Sequence, residues 1–452
     1  LTKLLTSLLG RFLFRDKGIL PTKRLLFFFI VISVIFVILG FFGVSWVWII
    51  IGNGVVLLIS LLDLLLSPNR KELNVSRQLD GELERGIAYQ GKVVITNRSH
   101  YSVTVRIIDD LPQSFVRPFP IELQADSKSA SSISYETVAP VRGKYLVKKL
   151  YIRYKSVYGL WEKQMAQVIE DEVKVIPDLT DTRHFLENAQ KFLLHEGKDI
   201  RKRRSDVGEF AQIRNYVVGD DPRKINWRQT AKLQELMTNE YEPEHGKHVT
   251  LLIDCGRMMG AELKKGNRLE RSLEAAITVA AASLQKGDQV AVLAFSSQVK
   301  VFVPPAKGMA HLQTILQAIY DVKVDGVESN YADVLRYLET VQKKRSLLLL
   351  FSDVRTFLHE ESALVYLQRL RQRHLFFMIG VEDEMLKSRV GDDPEEVRTA
   401  VVKAMAMKQI LVKKREKAKW ERQGLHMIEA EEERLTVAAV STYFDVMNRG
   451  LL

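Results

Sequence analysis

At 452 residues the chain is too long for a single core and calls for two or three domains. A hydrophobic fraction of 46% beside 27% charged residues excludes a disordered chain, and one cysteine, Cys255, excludes an intrachain disulfide framework and a multi-cysteine zinc site. The net charge of +11 invites an anionic partner, nucleic acid or a membrane surface, and its distribution decides between them.

In residues 1–24, Leu4, Leu5, Leu8, Leu9, Phe12 and Leu13 recur at helical spacing beside Arg11, Arg15 and Lys17, which predicts a basic amphipathic segment on anionic lipid. Leu25 to Val44 carries no charge, and Trp46 to Leu66 is interrupted only by Asn53 and Asp63. A helix rising about 1.5 Å per residue crosses a bilayer core of about 30 Å in roughly 20 residues, so 25–66 predicts a two-span hairpin. A second span following at once argues against a cleaved signal peptide. Lys23 and Arg24 precede the hairpin, Arg70, Lys71 and Arg77 follow it, and the turn has neither Lys nor Arg. The positive-inside rule then places both flanks in the cytoplasm. Asp63 reads as an interfacial residue near the inner end of the second span.

Residues 72–178 change period. Val93–Thr96, Val103–Ile108, Ser131–Tyr135, Leu150–Tyr154 and Val173–Ile176 are short β-type runs separated by turn signals, which predicts an all-β sandwich of immunoglobulin-like size. His100 stands alone and reads as a surface loop residue. Residues 179–246 are a linker and a polar segment. The basic run Arg201 to Arg204 lacks the interleaved aromatics of a nucleic-acid stacking platform and reads as solvated.

From Gly208 to Glu244 the chain is dense in groups that need partners: Gly208, Glu209, Arg214, Tyr216, Gly219, Asp220, Asp221, Arg223, Trp227 and Lys232 are the candidate binding residues. Asp221 is placed to cap a helix, with Pro222 at its first position. Arg223, Trp227 and Ala231 fall four apart, predicting one helical face. Two readings stay open: a buried clasp of Arg–carboxylate pairs beneath Trp227, or a groove for a partner or ligand. No nucleophile–base pair is present. The strings GEF and IRNYVVGDDPRKINWRQTAK, with SVYGLW at 156–161, resemble the bacterial domain-of-unknown-function-58 family. The resemblance implies a von Willebrand factor type A-like C-terminal half, a place in the inner membrane, and association with MoxR-type AAA+ ATPases.

Residues 247–452 alternate strand and helix. Continuous apolar runs at 248–254, 289–295, 346–351 and 374–380 suit central parallel strands covered on both faces, with helices at 268–285 and 331–341, which predicts a doubly wound α/β sheet. Sites on such sheets lie beyond the strand carboxyl ends. In von Willebrand factor type A domains that place holds a metal-ion-dependent adhesion site. Asp254, Ser329 and Asp353 match parts of it, but Gly256 and Met258 replace both serines of the first loop. Arg257 is placed to neutralise Asp254 without a metal. The expectation is a degenerate site and no cofactor. An acidic loop at 380–398 and a basic helix at 400–422 predict a mutually pairing surface, or else a dock for an acidic partner or lipid.

The expectation is a non-enzymatic, membrane-anchored adaptor facing the cytoplasm, with a AAA+ ATPase as partner, the bilayer as anchor and no nucleic acid. The alternative is a metal-assisted hydrolase or small-ligand sensor in a cleft around Asp220, Asp254 and Asp353. No HExxH, P-loop or GxSxG string strengthens it.

Overall fold

The computed structural model describes residues 18–43, 45–195, 209–218, 220–242, 246–391, 393 and 396–452. The amphipathic segment expected before residue 18, the basic run at 201–204, Gly208 and Gly219 lie outside the described residues. The chain forms two compact units, one ending at Ile176 and one beginning at Pro177.

The first unit starts with strand β1 (Ile19–Pro21) and helices α1 (Lys23–Phe41) and α2 (Trp46–Leu66). Both helices are long and apolar enough to cross a membrane, and almost all their apolar side chains are exposed, as lipid-facing residues are. They pack where Gly52 makes room: a Cβ there would meet the Phe36 ring at 2.2 Å. Next come β2 (Leu73–Gln78), β3 (Glu82–Glu84), β4 (Ala88–Asn97), β5 (Val103–Asp109), β6 (Ile121–Ala125), β7 (Ser129–Val138), β8 (Gly143–Lys155) and β9 (Trp161–Ile176). One sheet has the order β1-β9-β8-β5-β6, with β3 also on β9; the other is β2-β4-β7. Their inner faces share a core that includes Val75, Val93 and Ile95 from one sheet and Val105, Ile107, Ile152 and Val173 from the other.

One polar group crosses that core. The Arg77 guanidinium, with no exposed side-chain surface, bonds Asp109 at 2.6 Å and Asp171 at 2.7 Å. Its Nη2 hydrogens go to the carbonyls of Val147 (2.9 Å) and Ile169 (2.8 Å). Those residues flank a register shift in the β8–β9 ladder, so the bulge frees acceptors for Arg77. Tyr135 donates to the other Asp109 oxygen at 2.8 Å, and burial with the Asp109 charge pushes the phenol well above its ordinary range.

Asp63 departs from expectation. It is 1% exposed rather than interfacial. Its carboxylate accepts from the Ser156 hydroxyl (2.5 Å) and from the backbone N–H groups of Tyr158 (2.9 Å) and Leu160 (3.1 Å) in the β8–β9 turn. The Trp161 indole donates to Ser60 at 2.9 Å, and the Thr22 hydroxyl, which caps α1, donates to Gly159 at 2.7 Å. A carboxyl group at the end of an apolar helix is thus met by hydrogen-bond donors from a turn of the sheet.

The second unit holds α3 (Thr180–His195), β10 (Glu209–Asn215), α4 (Trp227–Leu233), β11 (Met237–Glu242), β12 (His248–Asp254), the two-residue strands β13 (Glu262–Leu263) and β14 (Gly266–Asn267), α5 (Arg268–Gln285), β15 (Gln289–Phe295) and β16 (Val299–Ala306). Helices α6 (Ala310–Ile319) and α7 (Tyr331–Val341), β17 (Ser346–Phe351), α8 (Val354–Phe357), α9 (Glu361–Arg371), β18 (Leu375–Val381), α10 (Glu384–Gly391), α11 (Val397–Arg422), β19 (His426–Ala430) and α12 (Leu435–Asn448) follow. The six-stranded sheet runs β16-β15-β12-β17-β18-β19, parallel except for β16. One apolar cluster packs α5, α6 and α12 on one face, and another packs α7, α8, α9 and Trp420 of α11 on the other. The doubly wound expectation therefore holds, with β12 and β17 flanking the point where the strand order reverses.

Candidate functional site

Two places in the second unit gather the candidate residues. The first is the hairpin of β10 and β11, antiparallel with Arg214 opposite Thr238. Arg214 holds Asp220 with two parallel bonds of 2.8 Å. Asp220 also accepts from Val217 N–H at 3.0 Å, and Tyr216 donates to the Asp220 carbonyl at 3.1 Å. Asp221 accepts from Arg223 N–H at 3.0 Å, capping a single 3₁₀ turn over Pro222–Lys224. Asn226 then caps α4 through Gln229 N–H at 3.1 Å, and Thr230 accepts from Met237 N–H at 3.0 Å.

Two expectations are corrected here. The helix begins after Asn226, so Arg223 belongs to the preceding turn and does not share a helical face with Trp227 and Ala231. Trp227 covers no buried pair: it is 67% exposed, while the Arg214–Asp220 clasp is knit from within the hairpin. Val217, Val218, Leu233 and Leu236 are exposed with it. Arg223, Arg228 and Lys232 are exposed too, with no ionic partner among the described residues.

The second place lies at the carboxyl ends of β12 and β17. Asp254, 2% exposed, spends both oxygens on protein donors. One accepts from Gly256 N–H at 2.8 Å and from the Ser329 hydroxyl. The other accepts from Tyr331 at 2.8 Å and Ser352 at 2.5 Å. Burial first, and then the Asp254 charge, hold the Tyr331 phenol well above its ordinary range, so it stays a donor. A Cβ at Gly256, the position compared above with a serine of the adhesion-site motif, would meet Ser329 Oγ at 2.0 Å. Ser329 thus fills the space that a side chain at 256 would need.

Asp353 caps α8 through Thr356, whose N–H and hydroxyl lie at 3.0 and 2.7 Å, and its other oxygen bonds Arg268. Arg268 also faces Asp383 at 3.7 Å. The guanidinium beside the site is therefore Arg268 and not Arg257, which pairs in solvent with Glu328 at 2.9 Å. Asp254 and Ser329 are brought together as expected, while Asp353 sits on Arg268 and Asp220 on Arg214. Among the described residues no three His, Cys, Asp or Glu side chains gather as a metal would require. The oxygens of Asp220, Asp254 and Asp353 are each engaged by protein donors.

Sequence reasoning missed Arg268, Tyr331 and Ser352. Ser352, next to Asp353, and Tyr331, two residues after Ser329, lay beside residues already singled out for their chemistry, and Arg268 did not. A neighbouring contact carries a pH signature. Burial alone would raise the Glu432 carboxyl, but Arg271 at 3.0 Å and the N–H groups of Lys264 (2.8 Å) and Lys265 (2.9 Å) outweigh it and hold it below its ordinary value. Its contribution to stability is present above the unfolded value of about 4.3 and is lost as pH falls through the lower folded value. Thermal melts from pH 6 downward should show Glu432→Gln losing less stability than the wild type over that window, and parallel curves would refute the assignment.

Residues 212–416 match the family described as "Protein of unknown function DUF58". The "Uncharacterized protein YeaD" of Bacillus subtilis (strain 168) is 30% identical over 128 residues, which are 28% of this chain and 32% of that protein. This chain thus covers less than two thirds of that relative. Among solved structures, Escherichia coli alpha-2-macroglobulin is similar at 13% identity and a TM-score of 0.19, covering 24% of this chain and 7% of that one. An ASH/PapD-like domain of human CEP192 is similar at 12% identity and a TM-score of 0.18, covering 23% of this chain and 85% of that domain. Neither likeness carries an argument about fold or function.

Proposed function

We propose, taking this chain as a member of the DUF58 family over residues 212–416, that it is a membrane-anchored adaptor whose signature hairpin docks a protein partner. One observation supports this above the others. Trp227 stands 67% exposed beside an Arg214–Asp220 clasp and helix caps that are satisfied within the hairpin. An exposed tryptophan flanked by arginines with no ionic partner among the described residues has the composition of an interface hot spot. In this reading α1 and α2 cross the bilayer with both flanks in the cytoplasm, and the paired sheets are an immunoglobulin-like spacer. The α/β unit is a von Willebrand factor type A-like scaffold that works without a metal, since protein donors saturate Asp254 and Arg268 occupies Asp353. The partner is a MoxR-type AAA+ ATPase.

The test is affinity purification of the detergent-solubilised protein. The ATPase should copurify with the wild type, and Trp227→Ala should weaken its binding by about 2 kcal/mol, roughly thirtyfold in Kd. Failure to recover any ATPase with the wild type would remove the partner assignment. Equal recovery with Trp227→Ala would remove the hairpin as the docking surface.

A further inference from the structure

Helix α11 is exposed over most of its length. Among its described side chains only Ala406 and Trp420 are buried. Among the described residues, Lys413 pairs with Glu429 of β19, and Lys417 and Lys419 pair with Glu421 and Glu416 on α11 itself.

Beside α11 lies an open cleft of about 310 Å³. Leu358, Met405 and Val412 form its apolar lining, and its ionisable groups are Arg355, His359, Lys408, Lys413 and Glu416. Lys413 and Glu416 are engaged as above, whereas Arg355, His359 and Lys408 have no ionic partner among the described residues. A second cleft, which shares Lys413, is different: its Glu382–Lys387 and Glu429–Lys413 pairs neutralise one another. In the first cleft Arg355 and Lys408 leave positive charge unspent beside Leu358, Met405 and Val412.

The helix extends this pattern. Val401, Met405, Lys408, Val412 and Arg415 fall at steps of four and three, so they share one face over about 21 Å. Cations and apolar side chains alternate along that face. A helix that lies on lipid segregates them onto opposite faces, and α11 does not, because Val397, Val402, Met407 and Leu411 are exposed around it as well. A row of adaptable apolar anchors interleaved with cations complements a helix that interleaves Leu and Glu.

We propose that the α11 cleft is a docking site for an acidic, amphipathic helical segment of another protein, separate from the signature hairpin. The charge complementarity of Arg355, Lys408 and Arg415 selects the acidic partner, and Met405 and Val412 receive its apolar side chains.

The test uses the full chain in phosphatidylcholine nanodiscs and a fluorescein-labelled helical peptide with Leu and Glu repeating every seven residues. A second probe has Lys in place of Glu. The acidic probe should bind with saturable anisotropy that falls with added salt, and the Lys probe should not. Arg355→Glu with Lys408→Glu, both at exposed positions, should weaken the acidic probe about tenfold or more while leaving the melting curve unchanged. Trp227→Ala should bind the probe as the wild type does, so the fate of this site is separable from that of the hairpin. Equal binding of both probes, no binding of the acidic probe, or undiminished binding to the reversed variant would each overturn the proposal. Capture by phosphatidylglycerol vesicles that depends on Lys408, without peptide binding, would replace the peptide with a bilayer and overturn it as well.

Discussion

Arg77→Ala is expected to destabilise the first unit by about 3–5 kcal/mol, because it leaves Asp109 as an uncompensated charge inside the sheet pair. Asp109 is fully buried with Arg77, and burial already raises its carboxyl above the ordinary range. Tyr135 would remain as a donor to one oxygen, too little to replace a guanidinium. The carbonyls of Val147 and Ile169 would also lose their donor. Urea unfolding followed through Trp161, which lies in this unit, reads the change directly. Arg77→Met combined with Asp109→Leu should recover much of the loss, since an apolar pair of similar volume removes both charges together. A midpoint unmoved by Arg77→Ala would show that the bridge between the sheets is dispensable.

Asp254→Ala should cost the second unit about 3 kcal/mol, as buried donors lose their acceptor. Tyr331 and Ser352, 2.8 Å apart, then turn a hydroxyl to one another, but Gly256 N–H and the Ser329 hydroxyl do not regain a carboxylate. The measurement is the thermal midpoint with and without added Mg²⁺. A metal-free site predicts that Mg²⁺ shifts neither protein, whereas a shift confined to the wild type would mean that the ion competes successfully with four protein donors.

The strands of the α/β unit were legible because a central parallel strand buries both faces and reads as an unbroken apolar run. Residues 248–254, 289–295 and 346–351 form the strands expected, and 268–285 the helix. Local capping chemistry was also legible, as Asp221 shows. Contacts closed across long stretches of sequence were not. Arg268 reaches Asp353 from 85 residues away, and Asp63 meets its donors 93 to 97 residues away. Trp227 misled for another reason. A large aromatic in a polar stretch reads as the lid of a core, and here the clasp it was thought to cover is held by the hairpin's own backbone and by Arg214.

The bonds from Asp63, Ser60 and Thr22 to the turn at 156–161 have a directional consequence. A sheet pair tethered by one flexible strand could face any compass bearing in the plane of a bilayer. Fastened at two helices, the sheets inherit the azimuth of α1 and α2, so in the proposed bilayer arrangement rotating the hairpin about the bilayer normal would turn them through the same angle. Neighbouring copies associating through these helices would always present the same sheet edge to one another. Asp63→Ala would remove three of these bonds and leave the Ser60 and Thr22 contacts to hold the bearing.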